Sequence, residues 1–462
     1  MKKKSAQQKT TVGVIGDDTL AYTAGRDVVL DLNLVQADCL GSAAHVTMLS
    51  RMPVRPKLFT PAERKQVIAG LVQVLRDAQA GRFAITLADQ DVHLAVERTL
   101  TERLGDLGKR IHTGRSRNDQ VALDLRLYGR DQLLGAIGEA AALAGALLDF
   151  AQQHDRIPMV GRTHMQPAMP SSVGLWASSF TEMLLDDVDL LVTAYQINDR
   201  SPLGSAASYG VPLPLDRQLV ADLLGFAGPC HNVLYANNAR GKLESVILSA
   251  LSQVMLTLSR IAQDLILFTM PEFAYFELPD AFTTGSSIMP QKKNADVLEL
   301  MRAKTARVQG AASTVFNLVK GLPTGYNRDL QEAKELFMEG CDTTRASLRI
   351  LAPLIAGTQV RADRLRAGFT PDVFATDRAL ELVGQGMPFR DAYHHVKANL
   401  HELQQMDPDQ AVACKTHLGA PAGLDYRLLG ARVAAAADFP VARGRALAGA
   451  YARLLGTTWP LA

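Results

Sequence analysis

The chain reads as a mainly α-helical protein built on a bundle of long helices. Two observations lead there. Apolar residues recur at steps of three and four through several stretches longer than the usual globular helix. Polar, Gly- and Pro-rich connections separate those stretches. At 462 residues the chain also exceeds what one simple core covers, so two or three domains are expected.

The clearest helix runs from Leu243 to Met270. Leu243, Val246, Ile247, Ala250, Leu251, Val254, Leu258, Ile261, Leu265 and Phe268 form one continuous stripe. At a rise of roughly 1.5 Å per residue it is about 40 Å long, and Pro271 stops it. Similar patterns at 119–153, 172–197, 295–320 and 332–356 predict further long helices. These cover their apolar faces by packing on one another in an elongated bundle. The stripe at 243–270 is wide enough to predict burial on several sides, and hence self-association.

Composition excludes several functions. A formal net charge of +2 with 21% charged residues provides no general field for nucleic acid or an anionic membrane, though local cations can still hold a small anion. Cys39, Cys230, Cys341 and Cys414 are far apart with no CxxC, which argues against a disulfide framework or zinc cluster and for a reducing cytoplasm. MKKKSAQQKT at the start is basic, but VGVI at 12–15 is too short for a signal-peptide core, so a frayed tail is expected. The apolar stretch at 134–150 is rich in Ala and Gly and carries Glu139, too weak a pattern for a membrane span. Neither GxGxxG nor GxxxxGK(S/T) occurs, so a nucleotide-binding fold has no support.

The chemistry-bearing residues lie in the connections, where function usually sits. HTGRSRND (112–119) enters a helix that Asn118 or Asp119 could cap. Arg115 and Arg117 stand just before that N-terminus, where a carboxylate or phosphate would be welcome; the alternative is a capped helix with solvated arginines. GRTHMQPAMPSS (161–172) sets Thr163 and His164 in a loop; His164 suits an acid or base, or a loop residue capping a helix. His93 and Glu97 share a helix face and read as an ordinary i,i+4 pair rather than metal ligands. SPLGSAASYGVPLP (201–214) is a further polar connection. YNRDLQEAKE (326–335) leads into a helix with Gln331 and Lys334 on one face, open to a polar substrate or to solvent. TTGSSIMPQKKNAD (283–296) has almost nothing to bury. Ser286 there becomes a base only if nearby cations and N–H dipoles lower its pKa. Gly285 is expected to allow a turn that aims those N–H groups, while Lys292 and Asn294 can bind a carboxylate.

GSSIMPQKKN at 285–294 resembles the GSSxMPxKxN signature loop of the fumarase/aspartase superfamily. Within it, HTGRSRNDQV, GRTHMQP, GLPTGYNRDLQEAKE and FATDRALELVGQGMPFRDA are similar to the argininosuccinate lyase family, in family order from about residue 112 to 392. Weaker similarity runs through DVHLAVE (91–97) back to YTAGRD (22–27). The resemblance implies a three-domain fumarase/aspartase-like fold, placed here at 1–116, 117–365 and 366–462. It implies a homotetramer whose sites combine loops of three chains, with no metal or organic cofactor. The implied reaction, in arginine biosynthesis, is reversible anti elimination of argininosuccinate to L-arginine and fumarate.

The resemblance also implies roles. Ser286 takes the proton next to the succinyl carboxylate, and His164, paired with Glu299, belongs to the acid side. Lys292 and Asn294 stabilise the carbanion with the loop backbone. Ser116, Arg117, Asn118 and Thr163 bind substrate, as do Tyr326, Gln331 and Lys334, chiefly at its arginine part; Arg240 falls at a binding-region arginine. The loop at 283–296 is expected to close over substrate. Ala295 stands where the family usually has proline, ARGKLE around Arg240 where many members have Arg-Asp-Phe, and Gly25 and Arg26 where many have small hydroxyl residues. These changes bear on the amine half of the substrate. They keep open another C–N lyase releasing fumarate from a different N-substituted aspartate. A crystallin-like structural protein is the rival from another class.

Overall fold

The computed structural model describes residues 9–10, 13–14 and 16–461. Most of the N-terminal segment expected to be a frayed tail lies outside the described residues. Three helices open the fold: α1 (Val35–Arg51), α2 (Pro61–Gln79) and α3 (Val92–Leu104). α2 starts cleanly because Pro61 occupies the first helical position and Thr60 and Glu63 form a reciprocal capping box.

The bundle follows. α4 (Arg117–Gln153), α5 (Val173–Asn198), α7 (Lys242–Thr269), α8 (Asp296–Val319) and α9 (Ala333–Gly357) match the five expected helices to within two residues at each end. A short α6 (Val233–Asn238) precedes α7. α4 packs on α5 and α9, while α7 packs on α8 and α5. One apolar core runs through them all, from Leu34 to the C-terminal residues. α4 and α7 are long and apolar enough to cross a bilayer, a stronger pattern than the sequence reading allowed, but 56% and 67% of their most apolar windows are buried inside the fold.

Two expectations about local structure are corrected. The cap of α4 is Ser116, whose Oγ accepts from the Asn118 amide at 3.2 Å, rather than Asn118 or Asp119. Asp119 is buried and bonds back to the Ser116 amide (2.9 Å), and its other oxygen takes the Gly204 and Ala206 amides. The cap therefore also anchors the 201–214 connection. GRTHMQPAMPSS is a two-stranded antiparallel hairpin, β1 (Pro158–Thr163) with β2 (Gln166–Ser172), in which Thr163 faces Gln166. His164 and Met165 form its tip at φ of 52° and 64°, the positive φ that a two-residue primed turn needs.

Residues 366–461 divide between two cores. α10 (Ala375–Gly384) and α11 (Phe389–Ala398) share a small core of Ala379, Leu382, Ala392, Val396 and Leu403. α12 (Tyr426–Leu455) instead returns to α4 and puts Leu447, Tyr451, Leu454 and Leu455 into the main core. Arg130 of α4 secures that return. It is fully buried, stacks 4.3 Å from the centre of the Phe226 ring, and donates to the Leu224 carbonyl (2.9 Å) and the Tyr451 hydroxyl.

Candidate active site

A pocket of about 160 Å³ gathers residues from five separate stretches of the chain. α4 begins at its wall, so Arg117 and Asn118 face it from the first helical turn. Arg240 arrives from the junction of α6 and α7, and Tyr326, Gln331 and Lys334 from the segment that leads into α9. Six of the expected binding residues thus meet, across more than two hundred positions of sequence.

The pocket is charged, and most of its charges are matched. Lys334 is buried, with Nζ 2.5 Å from Asp31 and 3.0 Å from Asp27; it is not the solvated residue that local reading allowed. Burial pushes the Asp27 carboxyl up, opposed by the Lys334 charge. Arg117 donates through Nε to Asp91 at 2.7 Å. Gln331 and Arg328 both donate to the Thr23 carbonyl, at 3.0 and 2.6 Å. Arg240 differs. Its guanidinium lies 5.5 Å from the centre of the Tyr326 ring, yet buried Nε and Nη1 have no hydrogen-bond partner.

His93 lines the pocket from behind, and its partner is not Glu97. Its Nδ1 is 2.8 Å from Asp38, with Asp124 3.6 Å away, all three buried. Glu97 instead lies 3.8 Å from His112. The expected i,i+4 pair fails because α3 packs this face onto α1, and a buried imidazole is drawn to the carboxylates there. Burial alone would lower the His93 pKa; Asp91, Asp38 and Asp124 raise it to about 9. One atom from each of Asp38, His93 and Asp124 lies within 4.8 Å of the others, a possible ligand set. An imidazolium already supplies the cation Asp38 requires, with buried Arg115 nearby, while burial and the Asp38 charge push the Asp124 carboxyl up.

The remaining expected residues lie elsewhere. Thr163 and His164 are exposed at the tip of the β1–β2 hairpin, whose strands pack on elements near the C-terminus. Ser286, Lys292 and Asn294 belong to a second small hairpin, β3 (Thr284–Gly285) with β4 (Lys293–Asn294). Gly285 is in the strand, outside the positive-φ set, and a Cβ there would meet open space, so the expected turn role is not needed. Ser286 Oγ accepts from the Met289 amide at 3.1 Å, the kind of local turn short hydroxyl side chains make. Lys292 is exposed and has no side-chain partner among the described residues. Glu299 is exposed in the first turn of α8, and no bond or ion pair joins it to His164 among the described residues.

The family departures have local causes. Gly241 takes φ of 71°, and a Cβ would sit 2.3 Å from Val319 Cγ2, so no side chain fits there. Gly25 has φ 52° and ψ −128°, backbone that only glycine adopts readily. Arg26 pairs with Glu335, and Ala295 occupies the cap position of α8 with no side-chain bond to offer. Sequence reading missed Asp27, Asp31 and Asp91, the carboxylates that hold Lys334 and Arg117; the four-residue spacing of Asp27 and Asp31 was the available signal.

The helical bundle that carries this pocket is shared with a class of lyases. The lyase family model matches residues 33–310. Among solved structures, an EDDS lyase variant with bound fumarate superposes with TM-score 0.79 at 23% identity, covering 95% of this chain and 93% of that one. A class II fumarase from Schistosoma mansoni superposes with TM-score 0.67 at 15% identity, covering 88% and 98%. These share the fumarase/aspartase fold. In sequence, the argininosuccinate lyase of Sorangium cellulosum is 46% identical over 412 residues, 89% of this chain and 95% of that one. That of Parabacteroides distasonis is 42% identical over 399 residues, 86% and 88%. The chain belongs to the argininosuccinate lyase branch of this lyase family.

Proposed function

We propose that the chain cleaves argininosuccinate reversibly to L-arginine and fumarate. The observation that carries this is the meeting of Arg117, Asn118, Arg240, Tyr326, Gln331 and Lys334 in one pocket, in a chain 39–46% identical to argininosuccinate lyases over most of its length. An elimination next to a carboxylate needs an anion site, a base, and donors for the charge that develops. Arg240 offers unpaired donors for a carboxylate, and the Asp-rich wall suits the cationic amine half. Ser286 is the proposed base, with the Met289 amide bonded to it and Lys292 in the same loop, and His164 and Glu299 are on the acid side.

These groups belong together only if chains combine. Among the described residues no hydrogen bond or ion pair joins His164, Ser286 or Lys292 to Arg117, Arg240 or Lys334 within one chain. Exposed Leu190, Ile197, Leu256, Leu300 and Phe316 on α5, α7 and α8 offer apolar surface for a partner. A cytoplasmic homotetramer sharing its sites is the assembly we propose, its four free cysteines suiting a reducing compartment. Fumarate release from argininosuccinate by the purified protein tests the activity; no release overturns it. Arg26 and Gly25 at the pocket rim favour one second reading, another N-substituted aspartate. Turnover of such a compound in a substrate panel, with none of argininosuccinate, would establish that reading instead.

A further inference from the structure

Arg240 has two sides. One faces the substrate pocket; the other faces a small cavity of about 10 Å³, lined also by Arg126, Asn198, Glu244 and Phe337. That volume suits about one water. Arg126 is held by reciprocal bonds with Asn198, Nη1 donating to its carbonyl at 3.0 Å and Nδ2 of Asn198 returning to the Arg126 carbonyl at 2.8 Å. Four buried polar atoms of the cavity's lining residues remain without partners: Arg126 Nη2, Arg240 Nε and Nη1, and Glu244 Oε2.

Glu244 is only partly satisfied: the Gly241 amide and its own amide face its carboxylate, while Oε2 has no partner. It is 4% exposed in the first turn of α7, among Leu243, Ile247 and Leu248. A carboxylate in such a place is expensive unless it answers a cation. Two cations border the same cavity, and no direct ion pair joins either to Glu244. A polar gap of this size between opposite charges is the kind that a single water bridges. Gly241 makes the arrangement possible, since its positive φ and tight packing on Val319 and Leu330 turn the chain between Arg240 and Glu244.

We infer that Glu244 is the positioning residue for Arg240, holding its guanidinium through a one-water cavity so that its pocket-facing edge meets a substrate carboxylate. The inference rests on the function proposed above. Glu244 answers one of the two positive charges, which leaves one unanswered at the pocket wall. An anion arriving there completes the set. The role is in binding and lies apart from the proton transfers.

Steady-state kinetics with argininosuccinate on the full-length protein test this. Glu244→Gln is expected to raise KM about 10-fold while kcat stays within about threefold, the signature of lost uniform binding. Glu244→Asp keeps the charge and is expected to recover most of the loss, with KM within about threefold of the unaltered protein. In an Arg240→Ala background, Glu244→Gln is expected to add less than about twofold, because the group it positions is gone. An unchanged KM in Glu244→Gln overturns the inference, as do losses that multiply in the double variant. If Glu244→Gln does not fold, Glu244→Asp decides with Arg240→Ala: a KM raised as far in Glu244→Asp as in Arg240→Ala overturns it, and a smaller rise supports it. Unaltered protein with no turnover overturns the function itself, an outcome distinct from each of these.

Discussion

The pocket around Lys334 and the loop around Ser286 are built in opposite ways. Lys334 is buried between Asp27 and Asp31 and bound to both. Ser286 is half-buried in a two-rung hairpin whose polar side chains bond mostly within or beside the loop: Asn294 to the Gly285 carbonyl, Thr284 to Asp296, Lys293 to Asp280. A charged pocket in a low-dielectric wall must be satisfied before substrate arrives, or folding carries the cost. A loop that contributes to chemistry in another chain's site must stay accessible until assembly and substrate complete it. In the assembly proposed above, preorganised binding and deferred catalysis would therefore occupy different parts of one chain.

Substitutions should separate the two. Ser286→Ala should lower kcat by roughly 100-fold or more with the melting temperature unmoved; near-full activity would remove Ser286 from the base role. Lys334→Met should cost about 3–5 kcal/mol of stability in denaturant titration, because buried Asp31 and half-buried Asp27 lose their cation. Lys292→Met, on the exposed loop, should stay within about 0.5 kcal/mol, and equal losses at both lysines would erase the contrast. Mixed assemblies of Ser286→Ala chains and weakly binding Arg240→Ala chains should exceed the activity of either parent after co-refolding. Mixtures no more active than the parents would place each site within a single chain.

Smaller effects sharpen the comparison. Protease cleavage at 286–292 should slow when fumarate and arginine are present, and equal cleavage would argue against closure. His93 should make stability depend on pH. Its folded pKa, about 9, lies above the ordinary 6.5, so its contribution is complete below about pH 6.5 and is lost as pH rises through 9. His93→Gln should flatten that decline in urea unfolding measured from pH 6 to 10.

The helices were legible because their signal is local. At 243–270 the apolar stripe specifies period, face and length with no knowledge of neighbours, and Pro271 marks the end. The hairpin at 158–172 was less legible: His164 and Met165 at positive φ break the usual propensities, a strain of about 1–3 kcal/mol each that only surrounding structure sustains. Arg162 helps, donating to the Met165 carbonyl at 3.2 Å and stacking 4.9 Å from the Phe273 ring centre. The pairing of His93 was misread for a related reason. Spacing of four residues puts Glu97 on the same helix face, but burial made Asp38, on another helix, the stronger partner.

By itself the sequence determined the helical class, the five bundle helices and the motif letters of the lyase family, since periodicity and short motifs are properties of neighbouring residues. Tertiary structure alone decided which of those letters meet. Lys334 bonds to Asp31 across 303 positions and Gln331 to Thr23 across 308; only packing of α9 against the N-terminal segment makes those separations vanish. Burial then set their chemistry, because removing water from a charge makes its nearest opposite charge or donor the main term in its energy.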